Sequence, residues 1–332
     1  MSNIEWTEET WQVTAGCSKV SAGCAHCYAE TMAKRLAGMA RKDEAAGRDP
    51  KGKRPYLHVL NDKGRWNGKV LPLPENLTIP LKRKKSTTYF VNSMSDLFHE
   101  AVPFEFINKV WAVMLAASQH TFQVLTKRPE RMVKFFAGRH HPWNASSGPD
   151  TPAPNVWLGT SVENQKAADE RIPHLLKCPA AVRFLSVEPL LGPVDLSAFM
   201  GGPYVGLPGD VVHPNYNAGL HWVIVGGESG AGARPCRVEW IRSVVRQCKA
   251  AGVPVFVKQL GALVIEDEQR WRDRSNFGRT RLLSCNKAKH APAGTVAWSM
   301  QHSKGGDPAE WPEDLRVREM PREVAPTGGE AA

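Results

Sequence analysis

Short runs rich in β-branched and aromatic residues recur along the chain: Thr10–Thr14, Thr88–Asn92, Thr121–Leu125, Val156–Gly159, Val182–Ser186, Trp222–Val225 and Pro254–Val257. Each ends in polar or glycine residues, and most lead into a stretch with apolar residues at helical spacing. Residues 28–38, Phe104–Ser118 and Val238–Ala251 carry that spacing, and Gly252 closes the last of them. Short apolar strands alternating with helices predict a parallel sheet with helical crossovers, the α/β class. About six to seven such units point to a TIM-like, partial (β/α) barrel. An open doubly wound sheet gives the same alternation, because strand order is not written in one sequence.

Residues just after the strands of a barrel share one rim, where active sites are built. Asp96, Lys127, Arg128, Glu163, Glu188, Glu228 and Lys258 hold such positions and are expected to converge. Three stretches read as loops or insertions. The first, 39–66, is basic and rich in Gly and Lys. The second, 139–154, is rich in Pro and Ser and contains His140, His141 and Trp143. The third, 199–221, is rich in Gly and Pro. The alternation fades after Gly261. The expected division is therefore a barrel over 1–261 and a C-terminal extension over 262–332, with a disordered tail after Pro321.

A length of 332 residues allows one large domain or two ordinary ones, and 42% hydrophobic content excludes wholesale disorder. No apolar run is long enough to span a bilayer. The opening Met1-Ser2-Asn3-Ile4-Glu5-Trp6 contains an acid and lacks the basic-then-apolar layout of a secretory signal, so a cytoplasmic location is the default. Formal net charge is +10, and the basic residues come in runs such as Lys51-Gly52-Lys53-Arg54, Lys82-Arg83-Lys84-Lys85 and Lys127-Arg128. Such an excess suits a polyanionic partner, nucleic acid above all, and equally a solvated basic surface. Trp66, Trp143 and Trp222 either stack bases or pack the core and rim.

Seven cysteines is an odd number, and a disulfide framework does not suit a large chain without a secretory signal. Cys178, Cys236, Cys248 and Cys285 are scattered and read as buried small hydrophobes. Cys17, Cys24 and Cys27 are clustered as C-x6-C-x2-C, with Gly16 and Gly23 preceding two of them. Thiolates are soft ligands for zinc or iron–sulfur clusters. Structural zinc closes with four ligands, often two separated C-x2-C pairs, and only one such pair exists here. A zinc deaminase needs H-x-E before P-C-x-x-C, but Gly23 stands where that proline belongs and no H-x-E precedes it. Three cysteines in one loop match a [4Fe-4S] cluster with one open iron, and the glycines let the backbone wrap closely around it. Iron–sulfur is the favoured reading, with zinc as the alternative.

A three-cysteine loop after the first strand of a β/α barrel resembles the radical S-adenosylmethionine (SAM) superfamily. The usual motif there is C-x3-C-x2-C with an aromatic residue before the last cysteine. Here the first gap is longer, His26 takes that place, and Tyr28 follows Cys27. Over nearly the whole chain, the segments Phe90–His99, Leu125–Pro129, Ser186–Leu190, Gly226–Gly230 and Lys304–Pro312 resemble a phage and prophage three-cysteine-motif family of unknown function.

The superfamily resemblance implies that Cys17, Cys24 and Cys27 hold the cluster, that SAM binds its open iron, and that a 5′-deoxyadenosyl radical abstracts hydrogen from the substrate. It implies an electron donor as partner. The superfamily's Gly-Gly-Glu follows the second strand. Ser93, Ser95 and Asp96 stand there in this chain and offer acceptors to the SAM ammonium. Gly226-Gly227-Glu228 comes much later. Its glycines permit close approach of SAM or substrate and Glu228 meets a ribose or amine, or else the segment is an ordinary turn. Lys127 and Arg128 pair with a SAM carboxylate or a phosphate. Glu163 and Glu188 contact SAM or act as structural acids, and Lys258 reaches substrate. The implied activity is a radical enzyme acting on nucleic acid. The alternatives are a zinc-stabilised nucleic-acid-binding protein, or a radical enzyme for a small metabolite or a partner protein.

Overall fold

A computed structural model describes residues 4–138, 152–200, 219–230, 232–272, 280–282 and 292–321. His140, His141, Trp143, Cys285, most of the 139–154 and 199–221 loops and the tail after Pro321 lie outside the described residues. Seven parallel strands form the main sheet: β1 (Glu9–Trp11), β2 (Thr88–Val91), β3 (Thr121–Thr126), β4 (Val156–Ser161), β5 (Val182–Val187), β6 (Trp222–Gly226) and β7 (Val255–Gln259). They are ordered as they occur along the chain. A doubly wound sheet reverses its order at a switch point. The observed order therefore gives a partial (β/α) barrel. Helices α1 (Tyr28–Ala45), α2 (Phe104–Ala116), α3 (Pro129–Ala137), α4 (Gln165–Leu176) and α5 (Val238–Ala250) lie in the connections. Among the described residues, no helix is long and apolar enough to cross a membrane.

The described residues divide into two compact units, 4–160 with 174–182, and 161–173 with 183–321. In the first, β1 pairs with β2 in the register Glu9 to Tyr89, and β2 pairs with β3 in the register Thr88 to Thr121. Helix α1 buries a row of small residues, Ala29, Ala33, Ala37 and Ala40. Tyr56, Val59, Leu73 and Met94 pack with that row, and the small side chains allow the close approach. Residues 39–66 are more ordered than a loop. The run Arg41-Lys42-Asp43-Glu44-Ala45 continues α1, because these side chains lose little freedom in a helix. Gly47, at φ +67°, ends it. On α2 the residues Phe106, Ile107, Val110, Trp111 and Met114 are buried. Trp111 meets Phe135 and Phe136 of α3, with ring centroids 6.0 and 5.2 Å away.

The second unit contains β5, β6 and β7, buried along nearly their whole length as parallel strands covered on both faces should be. The chain beyond Gly261 adds order. Residues 264–267, 295–300, 280–282 and 236–237 form a four-stranded sheet. Residues 317–319 run along β7: Val257 N–H donates to Val317 O at 2.8 Å, and Glu319 N–H donates to Val255 O at 3.0 Å. Trp222 Nε1 also donates to Glu319 O at 2.9 Å. This segment covers the edge of β7, which would otherwise expose unpaired backbone groups. Cys178, Cys236 and Cys248 are buried, as expected of small hydrophobes.

His221 accepts the Arg183 backbone N–H on Nδ1 at 2.9 Å. Burial, with the Arg183 charge beside it, pushes the ring down to about 4 from 6.5. The neutral ring is thus favoured in the fold, and its contribution is complete above about pH 6.5 and lost as pH falls toward 4. The loss is on the order of 3 kcal/mol. Urea denaturation at pH 7 and pH 4.5 is expected to show a smaller drop for His221→Asn, which keeps an acceptor without the titration. Equal drops for both proteins would remove His221 as the cause.

Candidate metal centre

The loop after β1 carries the three thiols, and the loops after β2 and β3 hold it in place. Thr14 and Ala15 pair with residues 71–72, and Gly16 follows at φ +97°. A Cβ on Gly16 would sit 2.2 Å from Lys69 O, so only glycine fits there. A short 3-10 turn, Ala22–Cys24, and Cys27 at the N-cap of α1 carry the other two thiols. Cys27 also packs against the α1 core.

The β2 loop grips the approach to Cys17. Asn92 lies in the left-handed region at φ +60°, which asparagine tolerates better than most residues. Its Oδ1 accepts the Val13 and Thr14 N–H groups at 2.9 and 3.2 Å, and its Nδ2 donates to Thr14 Oγ1 at 3.0 Å. Thr14 Oγ1 donates to Ser95 Oγ at 2.8 Å, and Ser95 Oγ donates to Gly16 O at 2.6 Å. Tyr28 OH donates to Ser93 O. Asp96 Oδ1 accepts from Thr126 Oγ1 at 2.7 Å and Phe98 N–H at 3.0 Å, and Oδ2 accepts the Lys127 N–H at 3.1 Å.

The β3 loop grips the far side of Cys17. Arg128 NH1 donates to Asp96 Oδ2 at 3.0 Å, and both groups are buried. Arg128 NH2 donates to Ser18 Oγ at 2.8 Å and Ser18 O at 3.3 Å, and Nε donates to the Glu100 carboxylate at 2.9 Å. Ser18 Oγ also lies 2.8 Å from His99 Nε2. Cys17 is thus flanked by Gly16, held by Ser95, and Ser18, held by Arg128. Ser18, His99 and Glu100 were not singled out from sequence as site residues. Their role becomes visible once Arg128 is placed.

The electrostatics bring together residues predicted separately. Burial pushes the Cys17 thiol up to about 12, with Asp96 adding to the rise and Arg128 opposing it. Cys27 and Cys24 raise it further. Burial also works against ionisation of Cys24, but the Lys127 ammonium and hydrogen bonds at Val20 and Ser21 hold that thiol below its ordinary value. Lys127 and Arg128 therefore act on Cys24 and Cys17 respectively.

Among the described residues no three His, Cys, Asp or Glu side chains are already gathered as a metal-holding set. The donor chemistry fits a soft metal or cluster all the same: three thiols lie on one loop, and the Lys127 charge favours the ligating thiolate at Cys24.

In the second unit, each predicted acid has a basic partner. Glu163, fully buried, meets Arg171 NH1 at 2.9 Å, and the same nitrogen donates to Ser161 O at 2.7 Å. Glu228 Oε2 accepts from Arg234 N–H at 2.8 Å and Nε at 2.9 Å, and Oε1 accepts from NH2 at 2.5 Å. Arg234 also feels the charge of Glu163, which links the two acids. Glu188, before a cis proline, accepts from Lys258 Nζ at 2.8 and 2.9 Å and from Gln259 Nε2 at 3.2 Å. A register shift between Val257 and Gln259 places Lys258 at a bulge. Gly227 is fixed by packing, since a Cβ there would sit 2.2 Å from Leu260 O, and Gly226 is nearly as tight against Gln259 O.

Residues 1–295 match the model of a family described as "Protein of unknown function (DUF5131)". The chain belongs to this family. No curated protein matches the DUF5131 chain. Two solved structures are similar to it. A cysteine-to-serine mutant of spore photoproduct lyase has a TM-score of 0.38 at 11% identity, covering 91% of this chain and 71% of that one. Spore photoproduct lyase complexed with dinucleoside spore photoproduct has a TM-score of 0.36 at 11% identity, covering 88% and 68%.

Arg128→Met would strand the buried Asp96 carboxylate without its counter-charge and release Ser18. The expected stability loss is about 3–5 kcal/mol in urea denaturation. The backbone amides of residues 16–18 in the same variant are expected to exchange with deuterium faster, read peptide by peptide by mass spectrometry. An unchanged exchange rate there would show that Arg128 does not hold the loop.

Proposed function

We propose that this DUF5131 protein is a radical-SAM-type enzyme whose Cys17, Cys24 and Cys27 hold a [4Fe-4S] cluster, and that it acts on nucleic acid. The observation that supports this most is the hold on the thiol loop at Cys17: Ser95 Oγ donates to Gly16 O, and Arg128 NH2 donates to Ser18 O and Oγ. When bound, the cluster and SAM would supply one-electron cleavage of SAM and hydrogen abstraction from the substrate.

The chain's own residues have separable tasks. Ser95 and Arg128 hold the backbone on either side of Cys17. Lys127 and Arg128 offset the negative charge that ligation gathers on the thiolates. Asp96, already bonded to Arg128, Thr126 and the Lys127 N–H, orients that guanidinium. Ser93, on the same loop, is the candidate contact for the SAM ammonium. In the second unit, Glu163 and Glu228 offer carboxylate oxygens to a ribose or amine, with Arg171 and Arg234 fixing their positions. Nucleic acid is the proposed substrate class because of the chain's net charge of +10. A phage setting, which the sequence resemblance implies, would place such a substrate at hand.

Anaerobic loading with iron and sulfide is expected to give about four irons per chain and broad absorbance near ~400 nm. On reduction in the presence of SAM, 5′-deoxyadenosine and methionine are expected. Serine at Cys17, Cys24 or Cys27 should abolish both iron retention and SAM cleavage. Tight binding of a single zinc, with no SAM cleavage, would overturn the reading in favour of a zinc-stabilised binding protein.

A further inference from the structure

The positive charge of the chain is concentrated in one segment. Residues 34–85 contain fifteen Lys and Arg against five Asp and Glu, a net charge of +10, and the rest of the sequence is balanced. Helix α1 holds Lys34, Arg35, Arg41 and Lys42 against Glu30, Asp43 and Glu44, and most of the excess lies in the chain that follows the helix, all in the first unit.

The outer face of α1 is organised in two ranks. At helical spacing, Tyr28, Met32 and Met39 form an apolar rank, exposed to 58%, 41% and 43%. Such exposure is unusual for side chains of this size grouped on one helix. Arg35 and Lys42 lie along the middle of the face, and Lys34 and Arg41 along its other edge, all four exposed. Further cations border the basic edge. The position of a Cβ on Gly64 lies 2.8 Å from Lys34 Cδ, so the Lys63–Arg65 turn lies against Lys34. Arg48 and Lys53 gather on Asp43 at the far end of the helix. The face begins at Tyr28, directly after Cys27, the N-cap of α1.

We infer that this face binds a nucleic-acid strand, with phosphates along the Lys34, Arg35, Arg41 and Lys42 edge and base faces against Tyr28, Met32 and Met39. A polyanion complements the basic rank, and bases supply the flat apolar surface that the other rank requires. A folded acidic protein would match the charge, but would not need an apolar rank running beside the cations along the length of one helix. The inference rests on nucleic acid as the substrate class and not on the cluster. It makes α1 the track that leads a strand to the cysteine loop.

Fluorescence anisotropy with a labelled single-stranded oligonucleotide, its duplex and inorganic polyphosphate tests it on the whole chain across a salt series. Changing Lys34, Arg35, Arg41 and Lys42 together to Gln is expected to weaken single-strand binding by about tenfold or more and to flatten the salt slope by about three. Changing Lys82, Arg83, Lys84 and Lys85 to Gln removes the same charge elsewhere and is expected to cost less than about twofold. The double variant Met32→Ala, Met39→Ala should weaken the oligonucleotide without changing the slope, and should leave polyphosphate unaffected. Equal losses for the two Gln sets, or Met changes without effect, would overturn the inference, as would tighter binding of duplex than of single strand. Iron content and SAM cleavage of the same variants are read separately. Lost strand binding with intact SAM cleavage is the expected phenotype, whereas retained strand binding in a wild type that takes up no iron would defeat only the cluster reading.

Discussion

The hold on Cys17 from both sides is the constraint on which the candidate site depends. Thiols on a loop lose their geometry unless the backbone between them is fixed, and the two glycines of this loop, Gly16 and Gly23, add freedom rather than hold it. Here the fixing comes from the two strands that follow. Asn92 and Ser95 bind the residues leading into Cys17, and Arg128 binds the residue leading out. Arg128 is in turn buried against Asp96. Parallel strands adjacent in both sequence and space make this possible, because their C-terminal loops emerge side by side.

The hydrogen bonds also change what the conspicuous motifs mean. Read alone, the segment Asn92-Ser93-Met94-Ser95-Asp96 offers acceptors for a ligand. In the fold, Asn92 and Ser95 are spent on the cysteine loop, Met94 enters the α1 core, and Asp96 is neutralised by a buried guanidinium. Gly226-Gly227 has a packing reason of its own at Gln259 and Leu260. Glu163 and Glu228 are buried and each meets a basic partner, Arg171 and Arg234, the condition under which a buried carboxylate is tolerable.

Much of the barrel was legible in the sequence. The seven strand runs agree with the observed strands to within a few residues, because buried parallel strands are written as continuous apolar segments. The order of the sheet was not legible, since spacing carries no information about neighbours. Helix α1 extends well past the point where its apolar spacing weakens. Its last turns carry the charged run Arg41–Glu44, which apolar periodicity does not mark. Of the site, the thiols and the Lys127-Arg128 pair were visible as residue types at strand ends. Ser18 and His99 were not, because their roles exist only as partners of residues distant in sequence. Arg171 and Arg234 lie eight and six residues from Glu163 and Glu228, but neither spacing nor residue type marks them as the partners.

The proposed cluster, held by three sulfurs, would have one iron without a protein ligand. The Mössbauer spectrum of anaerobically loaded protein, recorded before and after adding SAM, tests it most directly. One iron of four should change its isomer shift on SAM addition while the other three stay as they were. A spectrum that SAM leaves unaltered, or a protein that retains no iron to measure, would contradict it.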